Sequence, residues 1–203
     1  MSDSKKAIKI IARKIRKVLK SPSENYTIYW DSDKPLECYF WFHIKNGVYS
    51  TINPILYVNF KGPNGYFPFH PPNVKFLTPP FHTNVYGGGS ICVNIFTNES
   101  KWSPENGIGS IADNMILLFN DQNPSSPANA QAGKLFSGCV KEWKEYKKTY
   151  KATHKKTPSP YEQDRFFKPL QKHVETHFKK YNLSMYYEMF PKLKDAVSKI
   201  ISK

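Results

Sequence analysis

The sequence predicts an α+β fold: an N-terminal helix, a four-stranded antiparallel meander sheet, a long loop region expected to carry the active site, and C-terminal helices. Three observations lead there. Apolar residues recur at helical spacing at the start of the chain and again beyond residue 108, and short β-leaning runs separated by turn residues lie between them. Residues 61–110 are instead dense in Pro and Gly with little periodicity. At 203 residues, the chain accommodates one domain of roughly 100–200 residues plus an appendage. That length buries a hydrophobic core without help from metals or disulfides.

Each element has its own signal. From Lys5 to Leu19, the residues Ala7, Ile8, Ile11, Ala12, Ile15, Val18 and Leu19 fall at helical spacing, with Lys and Arg outside. Ser2, Asp3 and Ser4 offer N-caps, and Pro22 follows just past the end. The runs Tyr26–Trp30, Cys38–Ile44, Ile55–Phe60 and Val74–Leu77 read as strands. Turn-rich pieces such as Asp31-Ser32-Asp33, Asn46-Gly47 and Gly62-Pro63-Asn64-Gly65 separate them. A loop as long as 61–110 inside a compact domain is usually functional when ordered. Helical pattern resumes over Ile108–Phe119 and from Asn129 to about Lys151, and Thr157-Pro158-Ser159-Pro160 breaks it. Beyond the break, Phe166, Leu170, Val174, Phe178 and Tyr181 share one helical face, as do Tyr186, Met189, Leu193, Val197 and Ile200 less strictly. Pro169 and Pro191 are expected to kink or shorten these two helices. The expected organisation is a core over 1–150 and a basic helical extension over 151–203.

Composition narrows the functional classes. The three cysteines, Cys38, Cys92 and Cys139, form no CxxC pair and no Cys/His cluster at zinc-ligand spacing. Reduced thiols in a cytoplasmic or nuclear compartment, with no bound metal, are therefore expected. Charge interrupts the apolar residues of the first 17 positions, so no signal peptide is expected. No run approaches the roughly 18 apolar residues of a membrane span. The net charge of +14 sits at the two ends: residues 1–20 and residues 151–203 each carry +7, while 21–150 is neutral. Such basic ends are either a solvated surface or a face for an anionic partner, and charge alone does not choose between them. No recognised nucleic-acid motif accompanies the charge.

The chemistry concentrates between Phe67 and Pro104. Cys92 follows Gly87-Gly88-Gly89-Ser90-Ile91, and glycines before a cysteine permit unusual backbone angles and leave room for another chain to approach the sulfur. A thiolate is both a nucleophile and a leaving group, so one cysteine can accept an acyl group and pass it on.

Around Cys92 the sequence resembles the ubiquitin-conjugating enzyme family over roughly residues 5–150. Five ordered motifs carry the resemblance. Phe67-Pro68-Phe69-His70-Pro71-Pro72 resembles the family's Tyr-Pro-Phe-x-Pro-Pro loop, and His82-Thr83-Asn84 its His-Pro-Asn tripeptide, eight residues ahead of the cysteine. Gly89-Ser90-Ile91-Cys92-Val93 is similar to its Gly-x-Ile-Cys-Leu signature. Trp102-Ser103-Pro104 and Asn123-Pro124-Ser125-Ser126-Pro127 complete the set.

The resemblance implies roles position by position. Cys92 would form the thioester. Asn84 would stabilise the oxyanion formed when a lysine attacks, or hold the loop that makes attack possible; an amide dipole suits either task. Ser126 would stand at the gateway of the incoming lysine. His82 and Asn123 would be structural, fixing the turn and bracing the loop. Phe69 and Pro104 would dock RING-type or HECT-type ligases. The basic first helix, through Lys5, Lys6, Lys9 and Arg13, would meet the activating enzyme, mainly raising the association rate. The implied partners are ubiquitin or a ubiquitin-like protein, the activating enzyme, a ligase and substrate proteins, with no cofactor, since ATP is consumed upstream. The alternative on the same fold is a non-catalytic ubiquitin-binding scaffold.

Three features depart from the pattern. Thr83 stands in place of proline and is expected to loosen the turn. The Tyr-x-Gly-Gly segment is not recognisable at Tyr49–Pro54, and the linker from Cys92 to Trp102 is slightly long.

Overall fold

A computed structural model describes residues 2–181 of the chain. The second tail stripe (Tyr186 to Ile200) and Pro191 lie outside the described residues. Helix α1 (Asp3–Lys20) buries Ala7, Ile11 and Ile15, one residue per turn, and keeps its Lys and Arg, apart from the half-buried Lys14, on the outer face. Strands β1 (Tyr26–Trp30), β2 (Glu37–Phe42), β3 (Ile55–Asn59) and β4 (Asn73–Phe76) form one antiparallel sheet in the order β1-β2-β3-β4. The α+β architecture with a meander sheet is the one the sequence predicts.

The register aligns Ile28 with Phe40, Phe40 with Leu56, and Leu56 with Phe76, so one sheet face carries an unbroken apolar row. Strand β2 stops at Phe42 rather than reaching Ile44. The Phe42 N–H donates to the Pro54 carbonyl at 3.0 Å, but proline has no N–H to return, and the ladder ends there.

The long loop region holds two short pieces that the sequence did not announce, α2 (Asn94–Thr97) and a 3₁₀ turn at Glu99–Lys101. Neither is long enough to produce a readable period. Helix α3 (Ile108–Asn120) lies on the apolar sheet face, where the Phe119 ring meets Phe42 at 6.0 Å and Phe76 at 5.8 Å. Helix α4 (Ala130–His154) starts at an Asn129 cap, whose side chain accepts the Ala132 N–H at 3.0 Å.

Helix α5 (Pro160–Phe178) opens with a capping box in which the Glu162 carboxylate accepts the Ser159 N–H at 2.9 Å. It continues through Pro169 without ending. The proline gives up one intrahelical hydrogen bond, but Leu170, Val174 and Phe178 are buried in the same hydrophobic cluster as the sheet and α3. That burial outweighs one missing bond. The C-terminal end of α5 leans on the segment that follows β4: the Phe81 ring lies 5.7 Å from both His173 and His177, and the Tyr181 hydroxyl donates to the Pro79 carbonyl at 3.0 Å.

Candidate active site

The loop from Pro79 to Cys92 runs from β4 past the end of α3 and the start of α4, and hydrogen bonds tie it to each. Gly89 makes the close approach possible. Its φ is +92°, and a Cβ there would sit 2.1 Å from the Phe76 carbonyl oxygen. Its own carbonyl accepts the Phe76 N–H at 2.9 Å, pinning the glycine run to β4. Gly87 and Gly88 face open space.

Cys92 is an exposed free thiol, whereas Cys38 is fully buried and Cys139 nearly so. The Cys92 N–H donates to the Asn84 carbonyl at 3.0 Å, which sets the tripeptide beside the cysteine. The Asn84 side chain forms a reciprocal pair with the Asn123 backbone: Nδ2 donates to the Asn123 carbonyl and Oδ1 accepts the Asn123 N–H, both at 2.9 Å. Asn84 is thus buried and oriented, and the 121–126 loop is joined to it. The Asn123 side chain turns back on that loop, accepting from the Ser125 N–H at 3.1 Å and from the Ser125 hydroxyl. Ser126 is exposed on the same loop.

His82 is wholly buried. Its Nε2–H donates to the Leu118 carbonyl and its Nδ1 accepts the Asn84 N–H, both at 2.9 Å, which fixes a neutral tautomer. Burial holds its pKa down to about 4. A general base must reach a substrate proton, and this imidazole has both nitrogens committed inside the protein.

Thr83 does not loosen the turn. Its backbone N–H and its hydroxyl both donate to the Gln122 Oε1, at 3.3 and 2.5 Å, and its carbonyl accepts the Asn129 N–H at 3.0 Å. The rigidity that a proline ring would supply through φ comes here from hydrogen bonds. Nothing in the spacing of Thr83 and Gln122 announces the pair, because the two lie 39 residues apart.

Phe69 and Pro104 are exposed on neighbouring loops. Three side chains, Trp102, Glu99 and Lys14, hold those loops together. The Trp102 indole N–H donates to the Pro68 carbonyl at 2.7 Å. Glu99, from the long linker, accepts from Asn64 at 2.9 Å and pairs with His70. Lys14 of α1 donates to the Asn106 carbonyl at 3.1 Å and lies over the Phe67 ring. On the same helix, Lys5, Lys6, Lys9 and Arg13 are exposed. Among the described residues, no group of three or more His, Cys, Asp or Glu could hold a metal ion, and no helix is long and apolar enough to cross a membrane.

Fold and site together define an α+β protein centred on one exposed cysteine held beside a buried asparagine amide. The chain belongs to the ubiquitin-conjugating enzyme family, whose model matches residues 10–154. It is 49% identical over 70 residues to "Ubiquitin-conjugating enzyme E2 2" of Saccharomyces cerevisiae, a match covering 34% of this chain and 40% of that protein. The protein of the same description from Mycosarcoma maydis is 42% identical over 87 residues, covering 43% of this chain and 44% of the relative. The chain spans less than half the length of these curated relatives. The solved structure of S. cerevisiae Ubc12 is similar with a TM-score of 0.56 and 25% identity, over 64% of this chain and 71% of that one.

Proposed function

We propose that this protein carries ubiquitin or a ubiquitin-like protein as a thioester on Cys92 and passes it to a lysine amine. The observation that carries this reading is the exposed Cys92 thiol with its N–H on the Asn84 carbonyl. In the first step the Cys92 thiolate attacks the thioester carbonyl on the activating enzyme. A C–S bond forms to Cys92, and the enzyme's own cysteine leaves as thiolate. In the second step a lysine amine attacks the Cys92 thioester; a C–N bond forms, the C–S bond breaks, and the amine proton is lost to solvent. One Asn84 N–H is committed to the Asn123 carbonyl, and the other is the donor for the oxyanion of the intervening tetrahedral state. The exposed loop carrying Ser126 is where the amine enters; a serine hydroxyl is a weak base, so desolvation does most of the work of neutralising the amine.

Phe69 and Pro104 form the ligase-facing edge, and Lys5, Lys6, Lys9 and Arg13 face the activating enzyme. The setting is cytoplasmic or nuclear, and helix α5, within the basic segment from 151 onward, packs into the hydrophobic cluster of the catalytic core. The test is a loading panel with activating enzymes, ATP and several ubiquitin-like modifiers. A reductant-sensitive adduct that disappears in Cys92→Ala is expected; a folded protein that loads none of them is a scaffold instead. Asn84→Ala is expected to load, and to discharge to free lysine about 100-fold more slowly, the scale for one lost oxyanion donor.

A further inference from the structure

We propose that Thr83 and Gln122 form a clamp that positions the Asn84 amide and the 121–126 loop against Cys92 for the transfer step. The proposal rests on the thioester reading above. Threonine at a fully buried position introduces two donors, an N–H and an O–H, and a buried donor without a partner is unfavourable. Both are answered by one atom, the Gln122 Oε1, at 3.3 and 2.5 Å. Gln122 also neighbours Tyr49, whose hydroxyl donates to the Phe81 carbonyl at 3.4 Å and whose ring packs 5.2 Å from His82 and 5.3 Å from Phe119.

The position of the pair gives it consequence. Asn84 follows Thr83 and Asn123 follows Gln122, so the 83–122 contact and the 84–123 pair are consecutive rungs between the same two segments. The 84–123 rung alone, although doubly bonded, joins the two segments at only one point along their length. The second rung fixes the spacing and the relative twist of the segments. The Thr83 carbonyl, bonded to the Asn129 N–H at 3.0 Å, and its methyl, close against Gly133, keep the tripeptide from shifting toward α4. An amide that must meet a developing oxyanion is sensitive to such a shift, since a misplacement of about 1 Å costs up to about 100-fold in rate. Thr83 and Gln122 touch neither the thioester nor the amine. They act through Asn84 and are positioning residues.

The experiment uses the full chain charged with ubiquitin, or with whichever ubiquitin-like protein loads in its place, and follows single-turnover discharge against free lysine concentration. In Thr83→Val and Gln122→Met, the maximal discharge rate is expected to fall on the order of tenfold more than the loading rate does. The lysine concentration at half-maximal rate should stay unchanged, and Thr83→Ser, which keeps the hydroxyl, should restore the rate. Discharge at the wild-type rate in both variants overturns the clamp. So does a parallel fall in loading and discharge, because a merely structural contact moves both. If Thr83→Val does not fold, Gln122→Met, which leaves residue 83 untouched, decides between the same outcomes. A wild-type chain that loads nothing overturns the thioester reading instead, and that result is visible before any variant is compared.

Discussion

Burial holds the His82 imidazole at a pKa of about 4, against 6.5 for an ordinary histidine. The unfolded chain therefore binds a proton near pH 6.5 that the native chain refuses until about pH 4, and native stability falls as pH drops through that window. The loss attributable to this one residue approaches about 3 kcal/mol at the lower limit. Urea unfolding midpoints from pH 7.5 to 4.5 should fall more steeply for the wild type than for His82→Gln, which keeps a donor and an acceptor but does not titrate. The thiols offer a second check at this scale. One maleimide equivalent should mark Cys92 on the native protein, while Cys38, fully buried with its thiol pKa pushed well up, should react only in denaturant; early labelling of Cys38 would contradict its burial. That Cys92 and Asn84 lie side by side was legible in the sequence because each sits inside a motif with a fixed gap. Thr83 was misread as a loosening substitution because its partner, Gln122, comes from another element, and a single sequence does not show which buried donor meets which acceptor.

The elements were legible to within about three residues wherever a period could be counted: α1, the four strands, α3 and α4. Pro169, expected to kink or shorten its helix, does not end it: the helix continues to Phe178, because propensity weighs one residue while the buried stripe weighs three. Sequence reading missed the coupling of the two loops that carry Phe69 and Pro104, a matter of side chains from distant positions. Glu99 is the bridge there, bonded to Asn64 and paired with His70. Half-exposed pairs of this kind contribute only about 0.5–1 kcal/mol, so Glu99→Ala should weaken ligase binding a few-fold and leave the melting temperature nearly unchanged. Calorimetric titration of a RING-type domain against both proteins measures the first, and a thermal melt the second. A large drop in melting temperature would mean that Glu99 supports the fold and not merely the loop pair.

Across the whole molecule, charge and core divide differently. The basic ends are plain in the sequence, whereas the participation of α5 in the central cluster is not, since an amphipathic stripe says that a face is buried and not against what. Leu170, Val174 and Phe178 each contribute roughly 1.5–3 kcal/mol by burial, together a large share of the roughly 5–15 kcal/mol that holds a domain folded. A chain ending at His154 is therefore expected to lose its cooperative melt or to aggregate, read by circular dichroism and size-exclusion chromatography; a soluble, cooperatively melting truncate would show that the core closes without α5. The contact of Phe81 and Pro79 with His173, His177 and Tyr181 has a further consequence for heating. The strip of chain leading to Cys92 is braced from behind by the last described helix, so it has no private way to come loose. Warmed slowly, the protein should keep its chemistry up to the temperature at which everything gives way at once, and the curve of lost activity should overlie the curve of lost ellipticity.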